Sequence, residues 1–189
     1  MNRTEGPKLT QKQRGVLGGM VTGLAVAVLG LGTAIVVPPR ALLPEQNVAV
    51  MIAHALRWDV LVVAWLVLNV GMLAQHRFFT PADIDGGGLT EGTTRAKLLQ
   101  SILQNTLEQT VLAFSVHLIW AAVMPSTWQA AVCVAAVLFF VGRLLFWRGY
   151  AHGAPGRALG FALTFYPTVV LLALVVGRLA WESIALTAP

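Results

Sequence analysis

Glu108 is a carboxylate within an apolar stretch, Lys97 to Met124, that is long enough to cross a bilayer. Gln100, Ser101, Gln104, Asn105 and Gln109 share the first half of that stretch with it. At the period of an α-helix, Lys97, Gln104, Glu108 and Ser115 fall near one line, with Ser101 and Asn105 beside it. Phe114, His117 and Trp120 point elsewhere. A charge within a membrane helix costs about 3 kcal/mol or more, so Glu108 should face the bundle interior or a polar cavity. Gln104, Asn105 and Glu108 together offer amide donors, amide acceptors and a carboxylate, a set suited to a zwitterionic, peptide-like ligand. A second group follows in Arg143, Phe146 and Tyr150, which share a helix face by their i, i+3, i+7 spacing, and in Arg148 and Arg157. Their arginines supply cations for carboxylates and can stabilise a thiolate. Phe146 and Tyr150 add aromatic walls and one hydroxyl. A small acidic thiol could enter such a site from water while a lipophilic co-substrate arrives from the bilayer. The competing reading is internal pairing, for instance Glu108 with Arg143, that only holds a bundle together.

These residues must be positioned by membrane helices. The chain of 189 residues is 57% hydrophobic and 11% charged, with a mean hydropathy of +0.73. A soluble domain of that composition would expose too much apolar surface, so the chain reads as an all-α integral membrane protein. Five apolar segments are expected to span. Residues 1–15 form a polar, basic tail, and residues 16–47 an extra N-terminal transmembrane helix, Val16 to Val37, with a Pro-rich turn. That segment is too long for a signal-peptide core and lacks a small-residue cleavage site, so it is expected to stay in the mature protein. Gly18, Gly19, Gly23, Gly30 and Gly32 give it small faces for close packing. Residues 48–189 form a four-helix membrane domain, with spans at about Val48–Ala74, Lys97–Met124, Trp128–Trp147 and Leu159–Ala180. His54, Arg57 and Asp59 are expected to snorkel to water near a helix end, and Asn69 to bond a neighbouring helix. Phe78 to Thr94, with three consecutive glycines, predicts a mobile loop. Its Asp83 and Asp85 lack the later ligands of a calcium loop, and no metal site is expected. The single Cys133 reads as a packing residue.

Five spans place the N-terminal tail, the 75–97 loop and the 148–157 loop on one side, with Arg3, Lys8, Lys12, Arg14, Arg77, Arg95, Lys97, Arg148 and Arg157. Arg40, Arg57 and Arg178 lie towards the other. The positive-inside rule makes the first side cytoplasmic, so the N-terminus is cytoplasmic and the C-terminus exterior. Both polar groups then begin from the cytoplasmic face at similar depth. The net charge of +5 sits mainly at helix ends, which fits membrane topology rather than nucleic-acid binding. Abundant Ala, Gly and Val, with Arg favoured over Lys, suggest a bacterial inner membrane.

The N-x-x-E of Asn105 to Glu108 and the R-x-x-F-x-x-G-Y-x₆-R of Arg143 to Arg157, in this order, resemble the family of membrane-associated proteins in eicosanoid and glutathione metabolism, the MAPEG family. The similarity covers roughly residues 50–182. It implies the family's four-helix bundle, here with one extra N-terminal helix, and a homotrimer with glutathione as co-substrate between neighbouring subunits near the cytosolic face. It further implies that Asn105 and Glu108 bind the polar backbone of glutathione, that Tyr150 lines the site and that Arg157 stabilises the thiolate. Arg77 resembles a second family arginine, and Gln104, Arg143 and Phe146 complete the expected binding set. Ser101 stands where lipid-mediator synthases carry an arginine, Gln109 replaces an aromatic, and Phe146 stands where tyrosine is common. The expected activity is a glutathione-dependent transferase or peroxidase acting on hydrophobic electrophiles or lipid hydroperoxides, among membrane lipids. The alternative is a non-catalytic scaffold or lipophile-binding protein. A transporter ranks below both, since neither a broken intramembrane helix nor an inverted repeat is evident.

Overall fold

The computed structural model describes residues 9–187, which form helices and no strand. Residues 1–8 of the expected tail lie outside the described residues, and the rest is shorter than expected. Helix α1, Gln11–Val36, begins five residues before Val16 because Thr10 and Gln13 form a capping box. The other helices are α2 (Val48–Phe79), α3 (Thr94–Val123), α4 (Ala130–Gly149) and α5 (Gly153–Thr187), linked by short 3-10 turns. Asn47 caps α2 by accepting from the amides of Ala49 and Val50, and Thr93 caps α3 by accepting from Ala96. Among the described residues, four segments are long and apolar enough to cross a membrane: α1, α2, α3 and the continuous Ser126–Thr187 run that contains both α4 and α5. Many large apolar side chains face outward along them, including Val21, Leu29, Val60 and Val67, as bilayer contact requires.

Within the Ser126–Thr187 run the chain doubles back. Gly153 adopts φ +76°, a left-handed conformation that glycine takes without penalty, directly after the Tyr150–His152 turn. Pro155 then falls in the first turn of α5, where no backbone donor is lost. Gly142 lies against Gly160 and Thr164, and Gly149 against Gly156, so α4 and α5 run antiparallel in close contact. α1 packs on α5 in the opposite sense. Gly15 meets Pro155, Gly19 meets Ala158 and Leu159, and Gly23 meets Ala162, so these two helices are parallel. A side chain at Gly19 would come 2.8 Å from the Leu159 nitrogen, and the approach therefore depends on glycine there. Gly18 and Gly32 meet no neighbour, so only part of the glycine set serves helix contact.

α2 packs against α3 and α4. The main apolar core, including Leu31, Met51, Trp120, Val132 and Leu171, fills the half of the bundle near the Ser126–Trp128 turn. A second cluster around Val62, Trp65 and Phe139 continues it inward. The other half, at the N-terminal ends of α1, α3 and α5, is where the bundle opens.

Several local expectations change. Asp59 does not snorkel. It is buried, with Oδ1 2.5 Å from Nδ1 of the equally buried His117 on α3. His54 lies 3.2 Å from the Cys133 sulfur. Asn69 bonds within its own helix, donating to the Trp65 carbonyl at 2.7 Å, rather than to a neighbour. The expected mobile loop is tied down at Asp83, whose carboxylate accepts from the Thr93 amide at 2.7 Å and the Thr93 hydroxyl at 2.6 Å. These bonds hold the Asp83 carboxyl below its ordinary pKa, and His76, 3.0 Å away, adds to the effect.

Candidate functional site

Where the bundle opens, a cavity of about 770 Å³ lies between α1, α3, α4 and α5. That is within the range of small-molecule sites. Gln100, Ser101, Gln104, Asn105 and Glu108 line it from α3, a stretch that rises about 12 Å at the helical pitch. Phe146 comes from α4, Tyr150 from the turn that follows, and Arg157 from the first turns of α5. The two polar groups, far apart in sequence, therefore meet in one chamber. Its remaining walls are mostly apolar, Val16 and Met20 of α1 and Ala154, Ala158, Phe161 and Phe165 of α5, with Tyr166 as a second phenol.

The polar side chains are arranged by their neighbours. Gln104 donates to Glu108 Oε1 at 2.9 Å, so the carboxylate pairs along its own helix and not with Arg143. Arg143 does not line the cavity. It is 1% exposed, donating through Nη1 to Asn105 Oδ1 at 2.9 Å and through Nη2 to Thr164 at 2.8 Å. Its guanidinium also lies 4.3 Å from the Phe146 ring centre. Phe146 meets Tyr150 edge-on at 5.4 Å, and the Arg157 guanidinium lies 4.4 Å from the Tyr150 ring centre. The sequence Arg143, Phe146, Tyr150, Arg157 thus forms a ladder of cation, two rings and cation. Arg77 lies outside the large cavity. It donates to Gln100 at 3.1 Å and lines a smaller pocket of about 280 Å³ under the glycine loop, which shares Gln100 and Ser101 with the first.

Sequence reasoning passed over Val16, Met20, Phe161, Phe165 and Tyr166. Phe161 and Phe165, spaced i, i+4 and stacked at 5.5 Å, carried a readable signal of a common face. Nothing in the sequence assigned Val16 or Met20 to a cavity rather than to lipid.

Chemically, the chamber offers an amide donor, a carboxylate, a phenol hydroxyl and a guanidinium at one end, and an aromatic and aliphatic wall beside them. No curated protein and no solved structure gives a significant match. A family model described as the MAPEG family matches residues 53–177, from α2 through most of α5, and leaves α1 outside. Well over half of the sequence, including every residue of both motifs, fits that one model, and the chain belongs to the MAPEG family.

Proposed function

We propose that this chain is a membrane glutathione-dependent transferase or peroxidase acting on hydrophobic electrophiles or lipid hydroperoxides. Family membership supports a membrane function of glutathione-related or eicosanoid type. The observation that carries the finer reading is the convergence of Asn105, Glu108, Tyr150 and Arg157 on one cavity with an apolar wall. Asn105 and Glu108 present complementary donor and acceptor groups to a peptide, and Arg157 presents a cation to its thiol. A thiolate held beside Arg157 attacks an electrophilic carbon, forms a carbon–sulfur bond and expels the leaving group with its electron pair. Towards a hydroperoxide, the thiolate sulfur takes the terminal hydroxyl as the O–O bond breaks, giving a sulfenic acid, and the departing alkoxide takes a proton from water to leave as the alcohol. A second glutathione then reduces the sulfenic acid, giving the disulfide and water.

The same reading includes a homotrimer, five spans and a cytoplasmic N-terminus. The parallel α1 and α5 bring Lys12, Arg14, Arg148 and Arg157 to one face of the bundle, which supports that orientation. A reporter active only in the cytoplasm should be silent when fused after Pro189; a strong signal rejects the arrangement.

The decisive test is ultraviolet difference spectroscopy of the purified protein with glutathione. A thiolate band at neutral pH supports catalysis. Saturable binding of a lipophile with no thiolate supports the second reading, a non-catalytic lipophile-binding protein, which Ser101 and the apolar wall favour.

A further inference from the structure

Helix α1 lies outside the matched family region, yet two of its side chains line the cavity. Its position is not incidental. Gly15, Gly19 and Gly23 recur every fourth residue and seat α1 on Pro155, Ala158 and Ala162 of α5 at backbone contact. Val16 and Met20 each follow one of these glycines, and both reach the chamber opposite Gln100, Gln104 and Glu108 of α3. Val16 is half-buried and Met20 is 39% exposed, so they form a rim between the chamber and the surrounding bilayer. Beyond them Phe161, Phe165 and Tyr166 extend the lining along α5, and Arg157 to Tyr166 rises roughly 13 Å.

We propose that α1 is a substrate-selecting wall, in which Val16 and Met20 limit the length and width of the apolar chain that the cavity admits from the bilayer. The identity of the polar co-substrate rests on the reading above; the selecting role of α1 does not. Methionine suits such a position, because its unbranched, polarisable side chain adapts to apolar ligands of different shape. The ligand class is a lipophile with one extended hydrocarbon arm, its polar end towards Arg157 and Tyr150.

The test is photolabelling of the full-length protein in lipid nanodiscs with alkyl diazirine probes carrying hexyl or dodecyl chains, the adducts being mapped by peptide mass spectrometry. Saturable adducts are expected on Val16 and Met20, whereas Leu29, 70% exposed on the lipid side of the same helix, should label without saturation. Met20→Trp should reduce saturable dodecyl labelling by about tenfold or more while sparing the hexyl probe, a discrimination typical of a misfit in an apolar pocket. Met20→Leu, similar in volume, should leave both unchanged, and Val16→Phe supplies a second constriction should the tryptophan variant not fold. Adducts on Val16 and Met20 that do not saturate, or a chain-length preference unaltered by folded Met20→Trp or Val16→Phe, would overturn the proposal. Glutathione takes no part in this readout. A missing thiolate band therefore defeats the transferase reading alone, and non-saturable α1 labelling defeats only the wall.

Discussion

Arg143 Nη1 donates to Asn105 Oδ1 at 2.9 Å, and this bond decides which end of the Asn105 amide is left for a ligand. The oxygen is engaged behind the wall, so the NH2 group is the one free to face the cavity. Asn105 can then only donate, while Glu108 can only accept. A ligand that satisfies both must present a carbonyl or carboxylate to the first and an N–H group to the second, as a peptide does. Arg143, expected from the sequence to touch substrate, lies instead behind the wall, bonded to a residue that lines the cavity.

Arg143→Met should therefore weaken glutathione binding by releasing the Asn105 amide to flip. A hydrogen bond to a charged group is worth about 1.5–3 kcal/mol, so a ten- to hundredfold loss is the expected scale. Isothermal titration against the folded variant measures it. Unchanged affinity would show that Asn105 orientation does not matter.

Glu108 makes its bond to Gln104, one turn away on the same exposed face, and to no residue of another helix among the described residues. Glu108→Gln is nearly isosteric and should leave thermal unfolding and oligomeric state unaltered while weakening thiol binding. If the variant unfolds but binds thiol normally per folded molecule, Glu108 is structural.

The Asp59–His117 pair behaves in the opposite way. Both side chains are 1% exposed, and the pair bridges α2 and α3 remote from the cavity. Removing one partner of a buried hydrogen bond leaves the other group unsatisfied, which typically costs about 1–3 kcal/mol. His117→Ala should thus lower thermal stability strongly, with ligand affinity of the surviving folded protein intact. A stability change near zero would mean that the pair contributes little to the α2–α3 contact.

These contrasts mark what the sequence could reveal. The periodicity of 97–124 showed that Gln104, Asn105 and Glu108 share a helix face, because helical spacing is local. The breaks at Gly149, Gly153 and Pro155 likewise announced the turn that presents Tyr150 and Arg157. Asp59 and His117 are 58 residues apart, and only the docking of α2 on α3 makes them partners. Arg143 carried the same pattern whether it faced a ligand or Asn105. For α1, glycine content announced close packing, but which glycines mattered depended on the register with α5.

The glycine loop offers a pH readout outside the membrane. The bonds from Thr93 lower the Asp83 pKa in the folded state, so the unfolded loop binds protons more readily. The stabilisation is complete above the ordinary carboxylate range and is lost as pH falls through the depressed folded value. Limited proteolysis between residues 80 and 93 should accelerate over that acidic window. Asp83→Ala should be cleaved rapidly at neutral pH and lose the dependence; a variant as resistant as the parent at every pH would remove Asp83 as the clamp.

Arg157 carries the most direct prediction for chemistry. A free thiol such as that of glutathione titrates near ~8.5, leaving only a few per cent thiolate at neutral pH. A guanidinium beside the sulfur favours the anion, and each unit of depression corresponds to about 1.4 kcal/mol. The Tyr150 ring, 4.4 Å from the Arg157 guanidinium, fixes one face of the cation while its edges stay available to the cavity. Arg157→Lys keeps the charge without the planar fork and should retain partial turnover; Arg157→Ala should retain very little. Tyr150→Phe preserves the ring under the cation, so the thiolate band should persist, whereas Tyr150→Leu should shift the thiol pKa upward by removing the platform. Were Arg157 only a basic anchor at the membrane surface, Arg157→Ala would leave both turnover and the thiolate absorbance of bound glutathione unchanged. The Tyr150 pair of variants would then also be spectroscopically identical, because the ring would have no ligand-facing cation to orient.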